Sequence, residues 1–129
     1  MFIVMSVGNF PAWDPGEAAE LDQHNRGYRS WTPRSRWRNV AAVSVAAVTE
    51  RTGPWDLDDW DAFGRNAGLR GHALTWFGSL FMWPICVVDG IWVNGRHWAR
   101  VLEQVGAEQV AVEDPDHVPE WASDTGAPA

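Results

Sequence analysis

Apolar positions along this chain fall into two rhythms, one close to every second residue and one close to every third or fourth. The opening stretch "MFIVMSVGNF" predicts a short strand over residues 2–7, ended by Pro11. "DPGEAAELDQHNRG" then predicts a helix from Pro15 to Asn25. Asp14 is placed to cap it, Pro15 suits the first helical position, Glu17 completes a capping box and Gly27 closes the C-terminus. Its apolar face, Ala18 and Leu21, is thin, which puts the helix on the surface. Residues 28–39, "YRSWTPRSRWRN", have no period and contain Pro33, so they read as an irregular arm. "VAAVSVAAV" (40–48) is ambiguous, since valine favours a strand and alanine allows a helix; a strand at 41–46 is expected.

The second half is more regular. Asp56 or Asp58 can cap a helix running to about Asn66, with Leu57, Trp60, Phe63 and Ala67 on one face and acids at the positive end of its dipole. "HALTWFGSLFMW" (72–83) is apolar nearly all round and predicts a buried helix ending before Pro84. "ICVV", "DG" and "IWV" follow. An Asp-Gly pair between β-branched runs predicts a hairpin, because a type I′ turn needs two residues with positive φ. Asn94 can cap the next helix, along which Trp98, Val101, Leu102 and Val105 recur at helical spacing, with Gly106 ending it. "EQVAVED" predicts a last strand. From Pro115 the acidic "PDHVPEWASDTGAPA" predicts a disordered or loosely docked tail.

Length bounds this picture to one domain with a real core. Charge then divides it. All ten basic residues are arginine, and the net charge is −7. Residues 23–49 hold five arginines (Arg26, Arg29, Arg34, Arg36, Arg38) and no acid, a local +5; elsewhere seventeen acids against five arginines leave −12. That balance argues against a surface that binds nucleic acid everywhere. A single cysteine, Cys86, excludes an intramolecular disulfide and fits a reducing cytoplasm. The apolar start lacks a basic n-region, and the uncharged run 73–88 is short for a membrane span and broken by Pro84, so no membrane partner is expected.

Residues 84–114, "PICVVDGIWVNGRHWARVLEQVGAEQVAVED", run from a Pro-Ile-x-Val strand through a hairpin and Asn-Gly-x-His into an amphipathic helix and a strand. This order resembles the core of the ParB/sulfiredoxin superfamily, and the resemblance reaches back more faintly to Val40. It implies an α+β fold with a small mixed β-sheet and packed helices. It also implies that the helix start holds a nucleotide phosphate. Here that box would be Asn94, Gly95, Arg96 and His97, with Arg100 on the flank; free amides and the helix dipole attract anions at such a start. Trp98 departs from the pattern by standing where the family arginine would be. An indole cannot neutralise phosphate and its bulk would fill the niche, unless Arg96 or Arg100 supplies the charge. The family's reactive cysteine has no counterpart in this box.

Other candidates carry ordinary explanations beside functional ones. The arm interleaves arginines with aromatics, so that Arg29, Trp31, Arg34, Arg36, Trp37 and Arg38 could hold single-stranded nucleic acid. Equally, the arm could pack on the acidic remainder of its own molecule, or embrace a second copy in a homodimer. The carboxylates of "DLDDWD" suit a helix start better than a metal, and the four histidines lack metal-ligand spacing, so no metal is expected. His97 could contact a phosphate or act as acid or base, or simply face solvent. Ten tryptophans exceed the needs of one small core. Trp13, Trp31, Trp37 and Trp121 lie outside the strongest periodic segments and read as interface anchors.

The expected organisation is an N-terminal extension (1–39), a ParB/sulfiredoxin-like core (40–114) and an acidic tail (115–129). The expected function is a non-catalytic binding or regulatory protein, phage- or plasmid-encoded, acting on DNA transactions or on a host protein without a cofactor. One alternative is a nucleotide-binding switch or phosphoryl-transfer enzyme using a nucleoside triphosphate with magnesium, with Asp89 or Glu113 assisting. A second is an acidic DNA mimic.

Overall fold

The computed structural model describes residues 1–31, 34–51 and 55–117, leaving aside the side chains of 27–31 and 117. In chain order the elements are β1 (Phe2–Ser6), α1 (Pro15–Trp31), α2 (Arg34–Glu50), α3 (Leu57–Asn66), α4 (Gly71–Met82), β2 (Cys86–Val88), β3 (Ile91–Asn94), α5 (Arg96–Gln104) and β4 (Gln109–Glu113). The fold is α+β. Among the described residues, however, the strands form no single mixed sheet. β1 pairs antiparallel with β4, Phe2 opposite Glu113 and Ser6 opposite Gln109, and β2 pairs antiparallel with β3. The amide of Glu113 donates to the carbonyl of Ile85 at 2.8 Å and bridges the two pairs.

The expected strand at 41–46 is instead the middle of α2. Trp37, Val40, Ala41, Ser44, Ala47 and Val48 are buried along it, a helical stripe that covers β4 on one side and α4 on the other. Tertiary burial of that stripe overrides the strand preference of valine, and the alanines cost the helix nothing. The irregular arm is corrected with it. Residues up to Trp31 belong to α1, those from Arg34 to α2, and the expected boundary at residue 39 falls inside α2. α1 also runs through Gly27 rather than stopping there; a mid-helix glycine costs only about 1 kcal/mol, which packing on α5 can offset.

Ser44 shows how α2 and β4 fit. Its hydroxyl donates to the carbonyl of Ala41 at 2.6 Å and accepts from the amide of Ala111 at 3.1 Å, so a serine with no exposure satisfies a buried strand amide. Gly64 lets α3 close onto α4, for a Cβ there would lie 2.8 Å from Leu74 and Phe77 side-chain carbons. The helix at 57–66 has its expected N-terminus, a capping box between Asp56 and Asp59, and Asp61 pairs with Arg65 at 2.7 Å. The hairpin turn also stands as expected, with φ of 52° at Asp89 and 75° at Gly90.

Residues 115–117 form a single 3-10 turn. The expected behaviour of the tail beyond it, and the expected roles of Arg29, Trp31 and Trp121, lie outside the described residues. No helix among the described residues is long and apolar enough to cross a membrane.

Candidate functional site

The start of α5 is set by Gly95, not Asn94. Gly95 occupies the N-cap position with φ of 78°, and no side chain caps the helix. A Cβ there would sit 2.5 Å from the Cα of Ile85, so the backbone of the segment before β2 presses directly on this turn. The first helical hydrogen bond runs from the amide of Ala99 to the carbonyl of Gly95. The amides of Arg96, His97 and Trp98 therefore precede the ladder, and the positive end of the dipole is open at this point.

A cleft of about 470 Å³ opens beside this turn. α4 contributes Thr75, Trp76 and Ser79, and Trp83 follows at its end; α2 contributes Trp37. The other side is made by His24 and Asn25 of α1 and by Asn94, Gly95, His97, Trp98 and Val101 around the start of α5. Neither a carboxylate nor an arginine lines it among the described residues.

Trp98 is a wall of this cleft and does not fill it. Its ring meets Trp37 edge-on at 5.3 Å, while Trp37 and Trp76 stack at 4.1 Å with planes 12° apart. Trp37 is 1% exposed, and its indole N–H has no acceptor among the described residues. Trp83 is the opposite case, 60% exposed at the rim. His24 and His97 approach ring to ring at 4.3 Å, and Asn25, fully buried, donates to the carbonyl of His97 at 3.0 Å. His97 is itself exposed, yet partial desolvation, then His24, then Arg96 hold its pKa below the ordinary 6.5.

The two arginines expected to supply phosphate charge are engaged elsewhere. Arg96 reaches Glu17 at 3.1 Å. Arg100 binds both oxygens of Asp22, at 2.8 and 3.1 Å, and also Glu103 at 3.0 Å. Glu17 thus pairs with α5 instead of closing a capping box; Asp14 alone caps α1, accepting from the amide of Gly16 at 2.9 Å. Its hydrogen bonds to Asp22 and the charge of that carboxylate raise the pKa of Arg100, whose side chain is only 18% exposed.

Of the arm residues whose side chains are described, Trp37 alone is buried, and Arg34 and Arg38 are exposed while bonding to α5. Arg38 donates to the carbonyl of Val105 at 3.0 Å and Arg34 to that of Gln104 at 3.5 Å, so both serve the negative end of α5. Trp37 is core, and Arg36 is exposed. Trp13, expected as an interface anchor, stacks on Trp92 at 4.4 Å and donates to Glu103 at 3.1 Å. Asp89 sits in the hairpin turn, and the buried Glu113 receives the Met1 ammonium at 3.3 Å; neither lines the cleft. Cys86 is buried, and burial and then Glu113 push its pKa up, which disfavours the thiolate.

Sequence reasoning found the α5 side of the cleft. It missed His24, Asn25, Thr75, Trp76, Ser79 and Trp83, which come from segments read only as surface or core. The paired i, i+4 positions Thr75 and Ser79 on an otherwise apolar helix were the available signal. No protein-family model matches this chain, and comparisons with curated proteins and with solved structures give no match either.

Proposed function

We propose that this is a non-catalytic binding protein that holds a small molecule in the cleft at the start of α5 and uses its occupancy for regulation. One observation carries this reading: an aromatic-walled cleft of about 470 Å³ beside an uncapped helix start, within the ~300–1,000 Å³ typical of small-molecule sites. The cleft is bounded by α1, α2, α4 and α5, so a ligand there touches most of the helical layer. Its effect would be passed on to DNA or to a host protein, a role in keeping with the ParB/sulfiredoxin-like resemblance.

The nucleotide-switch and phosphoryl-transfer alternatives draw less support. Arg96 and Arg100 are paired with carboxylates, and Asp89 and Glu113 lie away from the cleft. A nucleic-acid role for the arm is weakened likewise, because Trp37 is buried and Arg34 and Arg38 bond α5 carbonyls.

A melting-temperature screen of a small-molecule library on wild type and on Thr75→Phe tests the proposal. Thr75 is exposed on α4 and lines the cleft, so phenylalanine plugs it with little effect on the core. Stabilisation that the plugged variant loses is expected, since a ligand specific for the native state raises its stability by mass action. Stabilisation by magnesium with CTP or ATP that His97→Ala and Arg96→Ala abolish would favour the nucleotide switch. Salt-sensitive DNA retention lost in Arg34, Arg36 and Arg38 variants would favour the arm.

A further inference from the structure

The chemistry of the cleft wall narrows its ligand, and this step rests on the binding role just proposed. Three properties matter: shape, charge and hydrogen-bonding sense.

Shape comes from the tryptophans. Trp37, Trp76 and Trp98 make a continuous aromatic wall, and Trp83 leaves a large indole surface uncovered at the rim. Flat rings gain most from such surroundings, by stacking or edge contacts with indole.

Charge comes from what is absent from the lining and what stands behind it. The described lining has no carboxylate and no arginine, so an ion entering it would find no formal counter-charge. Arg96 and Arg100, the nearest guanidiniums along α5, are paired with Glu17 and Asp22. The lowered pKa of His97 keeps that imidazole neutral near pH 7.

Hydrogen-bonding sense comes from the donors left over. The indole N–H of Trp37 is buried and lacks an acceptor among the described residues. The first-turn amides of α5 add further N–H groups with no side-chain cap. Buried donors without partners are rare in folded proteins and cost stability. A partial negative charge such as a carbonyl oxygen satisfies them without bringing a full charge into an uncharged site.

We infer that the cleft takes an uncharged, flat heteroaromatic ring system bearing carbonyl oxygens, stacked against tryptophan at the rim and accepting from the Trp37 N–H and the α5 amides. Phosphorylated nucleotides and saccharides are the classes it would disfavour.

The test follows the indole N–H resonances of the full chain by two-dimensional NMR during titration with lumichrome, theophylline, indole, cellobiose and CTP with magnesium. Lumichrome and theophylline carry ring carbonyls; indole is flat but has no such acceptor. The two carbonyl-bearing rings are expected to shift the Trp37 and Trp98 signals and to bind about tenfold more tightly than indole, the equivalent of one hydrogen bond. Thr75→Phe should remove the shifts, and Trp83→Ala, at an exposed position, should weaken binding while keeping the fold. CTP or cellobiose binding more tightly than the rings, and lost in Thr75→Phe, would overturn the ring assignment while leaving the cleft as a binding site. Indole equal to the carbonyl-bearing rings would overturn the role of the donors. No shift from any probe, or shifts that survive Thr75→Phe, would overturn both the assignment and the binding role of the cleft.

Discussion

Arg100 of α5 grips Asp22 of α1 through two N–H···O bonds, 2.8 and 3.1 Å long, across seventy-eight residues of chain. The amide of Gln104 adds a third contact to the same carboxylate at 2.6 Å. Asp22 is thus one point at which α1 is fastened to α5, beside Glu17 and Asn25, and α1 brings His24 and Asn25 to the cleft.

Replacing Asp22 by asparagine removes the ion pair at nearly constant volume and leaves the guanidinium, 18% exposed, without its main partner. Charge-assisted hydrogen bonds of this kind contribute about 1.5–3 kcal/mol, so urea unfolding of Asp22→Asn should report a loss in that range. Arg100→Met, which keeps the aliphatic stem, should cost less than Asp22→Asn. An unchanged unfolding midpoint in Asp22→Asn would mean that apolar contacts alone hold α1 to α5.

Ser44 offers a test of how α2 seats on β4. Ser44→Ala deletes the acceptor of the Ala111 amide inside the core, and a buried donor left unsatisfied costs about 1–3 kcal/mol. Thr49→Ala is the matched control. Its hydroxyl also back-bonds within α2, to Val45 at 2.7 Å, but at an exposed site, so the change should stay within about 0.5 kcal/mol. Equal effects of the two substitutions in chemical denaturation would refute the role assigned to Ser44.

How legible all this was in the sequence depends on where the information lay. Turn chemistry is local, so Asp89-Gly90, the Asp56 cap and Gly106 could be read directly, and their conformations follow. α2 was illegible in part because its buried stripe begins at Trp37, in a segment whose arginines suggested an arm; only contact with β4 and α4 makes the stripe a core face. The separation of the strands into two pairs is set by long-range register that no local pattern carries. For the cleft, the α5 start was visible as a glycine-bearing turn before an amphipathic helix. Its distal wall depended on α4 and α1 folding over it, and the pairing of Arg96 and Arg100 with α1 acids depended on that docking.

Gly95 and Gly106 separate two costs that usually come together. Both have φ near 80°, where an L-residue is strained by about 1–3 kcal/mol. A Cβ on Gly106 meets nothing within 4 Å, whereas one on Gly95 runs into the backbone of Ile85 at 2.5 Å. Gly106→Ala should therefore lose roughly the strain alone, and Gly95→Ala should lose about 1–3 kcal/mol more from overpacking against main chain that cannot rotate away. Thermal unfolding of the two variants decides it, with equal melting temperatures the result that counts against a close packing of α5 on the β2 segment.

The lowered pKa of His97 predicts an α1–α5 contact that is sensitive to mild acid. His97 lies 4.3 Å from His24 ring to ring, with Arg96 beside it, and desolvation, His24 and Arg96 all lower its pKa from 6.5. A folded-state pKa below the unfolded one means that the unfolded chain takes up the proton first as pH falls. Stability from neutral His97 is then complete above about pH 6.5 and drains away below it, until the folded pKa has also been passed. The melting temperature should fall as pH is lowered below about 6.5, above the range where most carboxylates titrate. In His97→Gln, which keeps a polar side chain of similar reach but cannot take up the proton, that slope should flatten. Parallel slopes in the two proteins would place the acid sensitivity elsewhere. A flattened one would make His97 the group through which protonation loosens α1 from the start of α5, and with it one wall of the cleft.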